Sequence, residues 1–501
     1  MKKSVMIGII VAMLAIGGGA TAFFIFNKSG KQQYFLAETK TMEKSIELFQ
    51  EKYANEYEWY DKSKNDKTEY VMDVSASPGE SMMAFLDPQM LDIIENSSIK
   101  LTTQSDMKKG EIIANLDAKV MDVEFNDFIM YLTAEKLLMS VPFLKDTIQL
   151  NDKDFGKVMR MVDPSYEGTE TLGLDQMTGK NTLYSDEMAE YLKTEYLKYF
   201  YEELPEEAFT VGNKEEVKIG EKKLTGEKVT MKLTEQQVKD LFVNVLEKAK
   251  KDDKLEELIK GLYEQSTGMA MTTLDIDFSK EMDTAIDEMI QGIKDSSIPN
   301  GLTSEIWHQK DLIVQRHFEM KVEEETIVID GKQSIDDAKQ IFEYEIGDKT
   351  DKVSISGDLS WKDQKALDTI TVKVDGDESF LQYKGDESLK GDTRTFSRTI
   401  SFEDGYSIYA MDWSGEATHE KDQMKGDHQF AISMDESELL GLNINQTAKV
   451  IKEVKFDAGE NVINIGEMDQ EAFDQYINET LYGQAEKWFT VKFMEFDNLF
   501  N

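Results

Sequence analysis

No proline occurs after Pro299, and from Leu302 to Phe456 apolar side chains recur at almost every second position. Phe318, Met320 and Val322 alternate, as do Ile327 and Ile329, then Phe342, Tyr344 and Ile346, then Ile370, Val372 and Val374. Successive side chains of an extended chain point to opposite faces, so this spacing predicts strands with one apolar and one polar face. Gly347-Asp348, Asp375-Gly376-Asp377 and Glu403-Asp404-Gly405 punctuate the runs as turns. Such a pattern folds as a long antiparallel sheet and cannot form a bundle or a βαβ succession.

The segment before Pro299-Asn300-Gly301 mixes both periods. Met42, Ile46, Phe49 and Tyr53 share one helical face within Leu36–Tyr60, Tyr57, Trp59 and Tyr60 crowd its end, and a packed core face is expected rather than a membrane-interface aromatic belt. Tyr70, Met72 and Val74 alternate before the stop Ser77-Pro78-Gly79, and short strands are expected at Ile99–Thr103, Glu111–Val120, Val123–Leu132 and Lys136–Val141. Helices are expected at Ser185–Glu203 and Lys280–Ile293. Thr234-Glu235-Gln236-Gln237 is a capping box opening the helix that carries Val238, Leu241, Phe242 and Val245. With the helix bearing Leu255, Leu258 and Leu262 it predicts an αα-hairpin with one apolar face. A last helix, capped near Asp469, runs through Phe473, Ile477 and Trp488.

At the other end of the chain, Val5–Phe26 is almost wholly apolar or small. As a helix these residues would reach roughly 33 Å, enough to cross a hydrocarbon core. Lys2, Lys3, Lys28 and Lys31 flank the stretch, which modestly favours a cytoplasmic N terminus. Ala20-Thr21-Ala22 is a small-x-small processing site, the mark of a cleaved signal peptide, but Phe23–Phe26 continues the apolar run and favours a retained anchor. The expected localisation is therefore single-pass in a cell membrane with the bulk extracytoplasmic. The expected fold class is α+β: an N-terminal transmembrane helix at 1–33, a mixed helix and antiparallel-sheet domain at 34–300, and a β-rich domain with a C-terminal helix at 301–501. Curved antiparallel β-sheets are packed with amphipathic helices in this reading.

Charge and composition exclude several functions. The chain carries 57 Lys+Arg against 98 Asp+Glu, a net −41 with no cysteine. The four lysines of residues 1–33 leave 53 cations against 98 acids beyond them, a net −45. Nucleic-acid binding needs cationic surface and is not expected. Only Arg160, Arg316, Arg394 and Arg398 supply forked donors, too few for phosphate or base recognition. Disulfides, thiolate metal sites, cysteine nucleophiles and a lipobox are excluded outright. No nucleophile elbow, phosphate-binding glycine loop, HExxH or calcium loop occurs. Ser97-Ser98-Ile99-Lys100 matches a serine–lysine signature but has no companion motif and falls on an expected strand.

Two constellations carry residual chemistry. His419 and His428 bracket a turn with Glu420 and Asp427 beside them, which brings a metal pair within reach, although 419 and 420 point to opposite faces. The acidic turns Asp375–Ser379 and Gly385–Ser388 carry carboxylates next to glycine, the oxygen ligands that calcium takes. Solvated hairpin residues are the favoured reading of both. No catalytic, cofactor-binding or metal-binding residue is assigned, and no cofactor is expected. The scattered tryptophans Trp307, Trp361, Trp413 and Trp488 define no sugar platform.

Two longer stretches bear a resemblance. Phe128–Leu144 gives strand, turn, strand and then Val141-Pro142-Phe143-Leu144, and Val217–Gln237 leads directly into the amphipathic helix. With the lysine-flanked apolar N terminus, this resembles uncharacterised signal-anchored surface proteins of low-GC Gram-positive bacteria, whose ectodomains are similar to LolA/LppX-type half-barrels. The resemblance implies a cradle for lipid or lipoprotein tails and transfers no catalytic residue. The expected function is non-catalytic: a membrane-anchored extracytoplasmic protein holding an apolar or lipid-like ligand in a sheet and helix groove. The 27 methionines and 26 phenylalanines suit such a lining. The alternatives are a structural or protein-interaction module of the cell envelope and, behind it, an envelope hydrolase using a carboxylate pair. Expected partners are the membrane, through the N-terminal helix, and a lipid-like ligand or envelope protein.

Overall fold

The computed structural model describes residues 29–178, 190–267, 278–348, 352–375, 379–459 and 461–499. The apolar segment Val5–Phe26, the site at Ala20–Ala22, part of the acidic turn Asp375–Ser379 and the start of the helix expected at Ser185 lie outside these residues.

Twenty strands form one sheet. The first group is β1 (Thr68–Pro78), β2 (Ser97–Asp106), β3 (Glu111–Val120), β4 (Val123–Leu132), β5 (Lys136–Ser140) and β6 (Thr147–Asn151). The hairpin β7 (Phe209–Ile219) and β8 (Lys222–Leu233) is followed by β9 (Leu302–Gln309), β10 (Leu312–Val322), β11 (Glu325–Ile335), β12 (Lys339–Gly347) and β13 (Lys352–Ser360). Then come β14 (Lys365–Val374), β15 (Phe380–Lys390), β16 (Thr393–Glu403), β17 (Ile408–His419), β18 (Gln423–Met434), β19 (Ser437–Val450) and the short β20 (Val462–Asn464).

Each strand from β7 to β19 pairs antiparallel with the next. β19 then pairs with β1, and the meander continues from β1 to β6. β20 alone is parallel, beside β6. Two expectations are corrected. The helix-bearing chain does not build several curved sheets: short turns keep each strand beside its successor, and the Thr68↔Val450 register fuses the two meanders into one sheet. The single-pass, signal-anchored placement in a cell membrane is not supported either: among the described residues no helix is long and apolar enough to cross a membrane, and Val5–Phe26 lies outside them.

Among the described residues, helices stand at Leu36–Tyr60, after Thr234, at Lys280–Ile293 and near Asp469 as expected, and the described part of Ser185–Glu203 is π-helical and then α-helical. α1 (Gly30–Lys52) and α2 (Ala54–Asn65) form a nearly continuous rod that breaks at Tyr53. The helix α3 (Pro88–Glu95) packs on β1. The capping box of Thr234 and Gln237 opens α4 (Glu235–Ala249), followed by α5 (Asp253–Thr267) and α6 (Phe278–Asp295). At the C terminus α7 (Gln470–Gln475) is joined through a π-helical segment to α8 (Gly483–Asp497).

The main core lies where β7 comes back against β11 and β12 and the start of α1 enters the roll. Tyr34, Phe35 and Ala37 pack there with Val229, Ile306, Phe318 and Met320, and Val238 and Leu241 of α4 close it. Polar contacts set the register of α1. Lys31 Nζ donates to the Leu204 carbonyl at 2.6 Å, and Tyr34 and Ser304 share a hydroxyl hydrogen bond of 2.6 Å. At the β10 bulge the freed Ile313 N–H donates to Thr41 Oγ1 at 2.8 Å, so an orphaned ladder donor is satisfied by the helix.

Candidate functional site

From the core, α1 and α2 run across one face of the sheet, and what they cross is set by strand register. Phe342, Gly357, Ile370, Tyr383, Ile400, Met411, Ile432, Leu440 and Pro78 stand opposite one another in consecutive pairs from β12 to β1. Eight strand spacings of about 4.8 Å make this apolar row roughly 40 Å long. A second row, two residues along each strand, runs Tyr344, Ile355, Val372, Leu381, Phe402, Tyr409 and Met434. Between the rows, on the other face, stand Ser356, Thr371, Gln382, Ser401 and Ser433. The sheet thus presents a continuous apolar floor to the helices and a polar face away from them.

The helices do not fill that floor. Two grooves flank the rod where α1 gives way to α2. One, of about 660 Å³, lies between Phe49, Tyr57 and Tyr60 on the helices and Ile400, Met411 and Trp413 on the sheet. The other, of about 420 Å³, lies between Leu48, Phe49 and Lys52 and the residues Leu359, Trp361 and Ile370. Phe49, Tyr53 and Tyr383 border both, so a thin aromatic wall separates them. The stripe expected in the core is here and only partly covered: Met42, Ile46 and Phe49 are exposed, Phe49 by 55%, as are Tyr57 and Tyr60, whereas Tyr53 is half-buried against Glu387 and Trp59 is buried. α1 buries instead the face bearing Tyr34, Phe35 and Ala37 within the roll. The difference is physical. A helix period identifies which residues share a face, but a sheet that meets the helix through ion pairs leaves the apolar face uncovered.

Those ion pairs form a buried seam under the rod. Arg394 on β16, 2% exposed, is held by Glu56 of α2, by Glu387 of β15 at 3.1 Å and by the carbonyl of Lys52. Glu387, 1% exposed, also accepts from Arg398 at 2.9 Å and from the Tyr53 hydroxyl at 3.0 Å. Lys52 pairs with Asp368 of β14. Further back, Arg316 of β10 holds Glu38 of α1 at 2.7 Å. The Arg398 guanidinium lies 4.4 Å from the Trp413 ring centre and 4.6 Å from that of Phe396, an arrangement a planar cation suits.

Burial alone would raise the Glu387 carboxyl, but hydrogen bonds from Arg398 and Tyr53 and the charges of Arg398 and Lys52 hold it below the ordinary glutamate range. Burial, with the Glu387 charge beside it, pushes the Tyr53 phenol up, so it stays a donor. Around the seam Lys52, Arg394 and Arg398 face Asp368, Glu387 and Glu56, three charges of each sign. The site is electrically closed, and each of these carboxylates already holds a cation. None is left in the free, close pair that glycoside hydrolysis uses. What the arrangement offers is apolar surface beside a charge-balanced seam.

The residues singled out in the sequence are placed as follows. His419 and His428 both lie on the helix-bearing face but have separate surroundings. His428 Nδ1 accepts from Trp413 Nε1 at 3.2 Å and its Nε2 lies 2.9 Å from the Gln446 amide, whereas His419 sits by Glu56 and Arg394. Glu420 lies beyond the end of β17, and Asp427, next along the strand to His428, falls on the other face. Among the described residues no group of three His, Cys, Asp or Glu side chains is placed to hold a metal. Asp386 and Glu387 fall inside β15, where Glu387 is part of the seam. Ser97–Lys100 opens β2 as a plain strand. Sequence reasoning missed the seam itself, whose one signal was the scarcity of arginine: two of the four, Arg316 and Arg394, hold α1 and α2, and a third, Arg398, holds Glu387 beneath them.

No protein-family model and no curated protein matches this chain. Among solved structures it is similar to OccK3 (OpdO) of Pseudomonas aeruginosa, at 5% identity over 77% of this chain and 95% of that one, with a TM-score of 0.24. The CymD monoaromatic hydrocarbon channel follows at 6% identity, 85% and 94% coverage and a TM-score of 0.18. OmpT of Vibrio cholerae lacking loop L8, an outer membrane protein, matches at 5% identity, 77% and 98% coverage and a TM-score of 0.18. These are not signal-anchored surface proteins of Gram-positive bacteria, and likeness at this level carries no argument about this chain.

Proposed function

We propose that the protein is a non-catalytic binder of an elongated, lipid-like ligand, which lies on the apolar floor against α1 and α2. The observation that carries this reading is the aromatic face of the rod, Phe49 to Tyr60, left open beside two grooves over a floor that continues for nine strands. The groove volumes fall in the range of small-molecule sites, and their walls are chiefly apolar with a few polar groups at the base. The floor strands are hydrogen-bonded on both sides, so no backbone group there is free to recognise a peptide. A hydrocarbon chain asks for none, whereas an extended peptide would bury its own amides unpaired.

Native mass spectrometry of the full chain, titrated with dodecyl maltoside below its micelle concentration, tests the reading. Stoichiometric adducts are expected for the native protein, with weaker ones for Met411→Glu, which places a charge on the floor. Adducts equally strong in the variant, or none in the native protein, would sink it. A protein-interaction module is the second reading, favoured by α8, where Trp488 packs on Phe125 and Phe128 but Phe493 is 68% exposed. Crosslinking through position 493 that captures no partner would count against it.

A further inference from the structure

The floor is not covered evenly. At the end of the sheet where β16 turns into β17, α1 and α2 are absent, and the row Leu381, Phe402, Tyr409 and Met434 is left exposed. Three connections stand over this open end: the β16–β17 turn, the β18–β19 turn and the β1–β2 link. They are tied into one rim. Asp435 Oδ1 accepts from the Ile408 N–H at 2.9 Å, Gly79 N–H donates to the Leu439 carbonyl at 3.0 Å, and Ser81 and Ser437 share a hydroxyl hydrogen bond.

The charge of this rim has one sign. Asp404, Asp435, Glu436 and Glu80 stand on it, and Glu403 and Glu438 add their charge from the other face of the sheet at the same end. No lysine or arginine occurs from Thr399 to Glu420, from Gly426 to Ala448 or from Thr68 to Ile99, the three stretches that build it. The Asp404 carboxyl is held below the ordinary aspartate range by the N–H groups of Ser407 and Tyr406, so its charge persists in mild acid. Tyr406 stands on the same rim, 97% exposed, above the cross-strand pair Phe402 and Tyr409. Along the floor, the seam at the covered end carries balanced charge whereas the open end carries acids without lysine or arginine in its three stretches.

Taking the apolar-ligand reading as its basis, we infer that the ligand is a cationic amphiphile, its hydrocarbon tail on the floor and its positively charged head at the rim formed by the β16–β17, β18–β19 and β1–β2 connections. The tail needs no polar partner there. The head meets carboxylates on three connections that carry no lysine or arginine, and the faces of exposed aromatic rings, which attract cations by their quadrupole. An anionic head would be repelled at the same place.

Three probes with one tail and different heads test this on the full chain: dodecyltrimethylammonium, dodecyl maltoside and dodecyl sulfate, each below its micelle concentration, read by calorimetry. The trimethylammonium probe should bind at least about tenfold more tightly than the maltoside, and the sulfate more weakly than both. Neutralising the rim with Glu403→Gln, Glu436→Gln and Glu438→Gln, which leaves the turn-building Asp404 and Asp435 in place, should remove most of the preference and leave maltoside binding unchanged. The control is Glu281→Gln, Asp283→Asn and Asp287→Asn on α6, the same charge removed far from the rim, which should keep the preference. If the maltoside binds and the heads are not discriminated, or if the α6 variant loses the preference as fully as the rim variant, the inference falls and the apolar-ligand reading stands. If no probe binds, both fall.

Discussion

Glu387 accepts from Arg394, Arg398 and Tyr53 with almost no contact with water. Glu387→Ala would leave two buried guanidinium groups short of their shared anion, and the expected loss is about 3–5 kcal/mol in urea unfolding. Because its pKa is depressed, the stability Glu387 contributes is complete above the unfolded glutamate value near 4.5 and disappears as pH falls through the lower folded value. The histidines act at a higher pH. Burial lowers His308, His419 and His428 from 6.5. Asp311 and Glu227 oppose that shift at His308 and Lys214 adds to it; at His428 Arg398 and His419 add and Asp427 opposes; at His419 Glu56 opposes and Arg394 adds. A base whose folded pKa is lowered binds its proton more readily unfolded, so stability should decline as pH drops below about 6.5. Urea midpoints at pH 7.5 and 5.5 check this, and His308→Met, which removes a buried imidazole whose nitrogens have no hydrogen-bond partner, should flatten the slope. None of these partnerships was legible in the sequence. Arg394 and Glu56 are 338 residues apart, and an ion pair closed by tertiary structure leaves no local pattern.

Among the elements, local signals were read well wherever the segment itself decides the outcome. Thr234 and Gln237 form the reciprocal capping box their spacing announced, and Thr234→Ala should cost about 1 kcal/mol, measurable as a lower urea midpoint without a change in slope. Strands β3 and β4 run over the residues that alternation marks out. The face of α1 was misjudged. Met42, Ile46 and Phe49 repeat as a core stripe does, yet it is Tyr34, Phe35 and Ala37, one turn or more earlier, that the roll of β7 to β11 encloses. Periodicity reports amphipathicity and is silent about what arrives to cover it. If the uncovered stripe serves a hydrocarbon tail, affinity for a series of alkyl maltosides should rise about fourfold per methylene, the equivalent of about 0.8 kcal/mol, until the floor is full. Calorimetry across the series would show a flat profile if the grooves only hold water.

For the whole molecule, the alternation after Pro299 foretold antiparallel sheet but not its extent. A hairpin pattern specifies each strand's neighbour in sequence, and nothing local says that β19 will close on β1 rather than remain an edge. That closure is eleven paired positions from Thr68↔Val450 to Pro78↔Leu440, and it alone joins the β1–β6 meander to the β7–β19 meander by strand pairing. A chain ending at residue 436 should therefore expose β1 and β18 as bare edges and aggregate, visible as loss of the monomer peak in size-exclusion chromatography. The same pairing governs the order of events at the ribosome. β1 is made more than 350 residues before its partner. Over that interval one edge of the early meander must wait, its amides answered only by water, so maturation is timed by the arrival of Ser437–Val450.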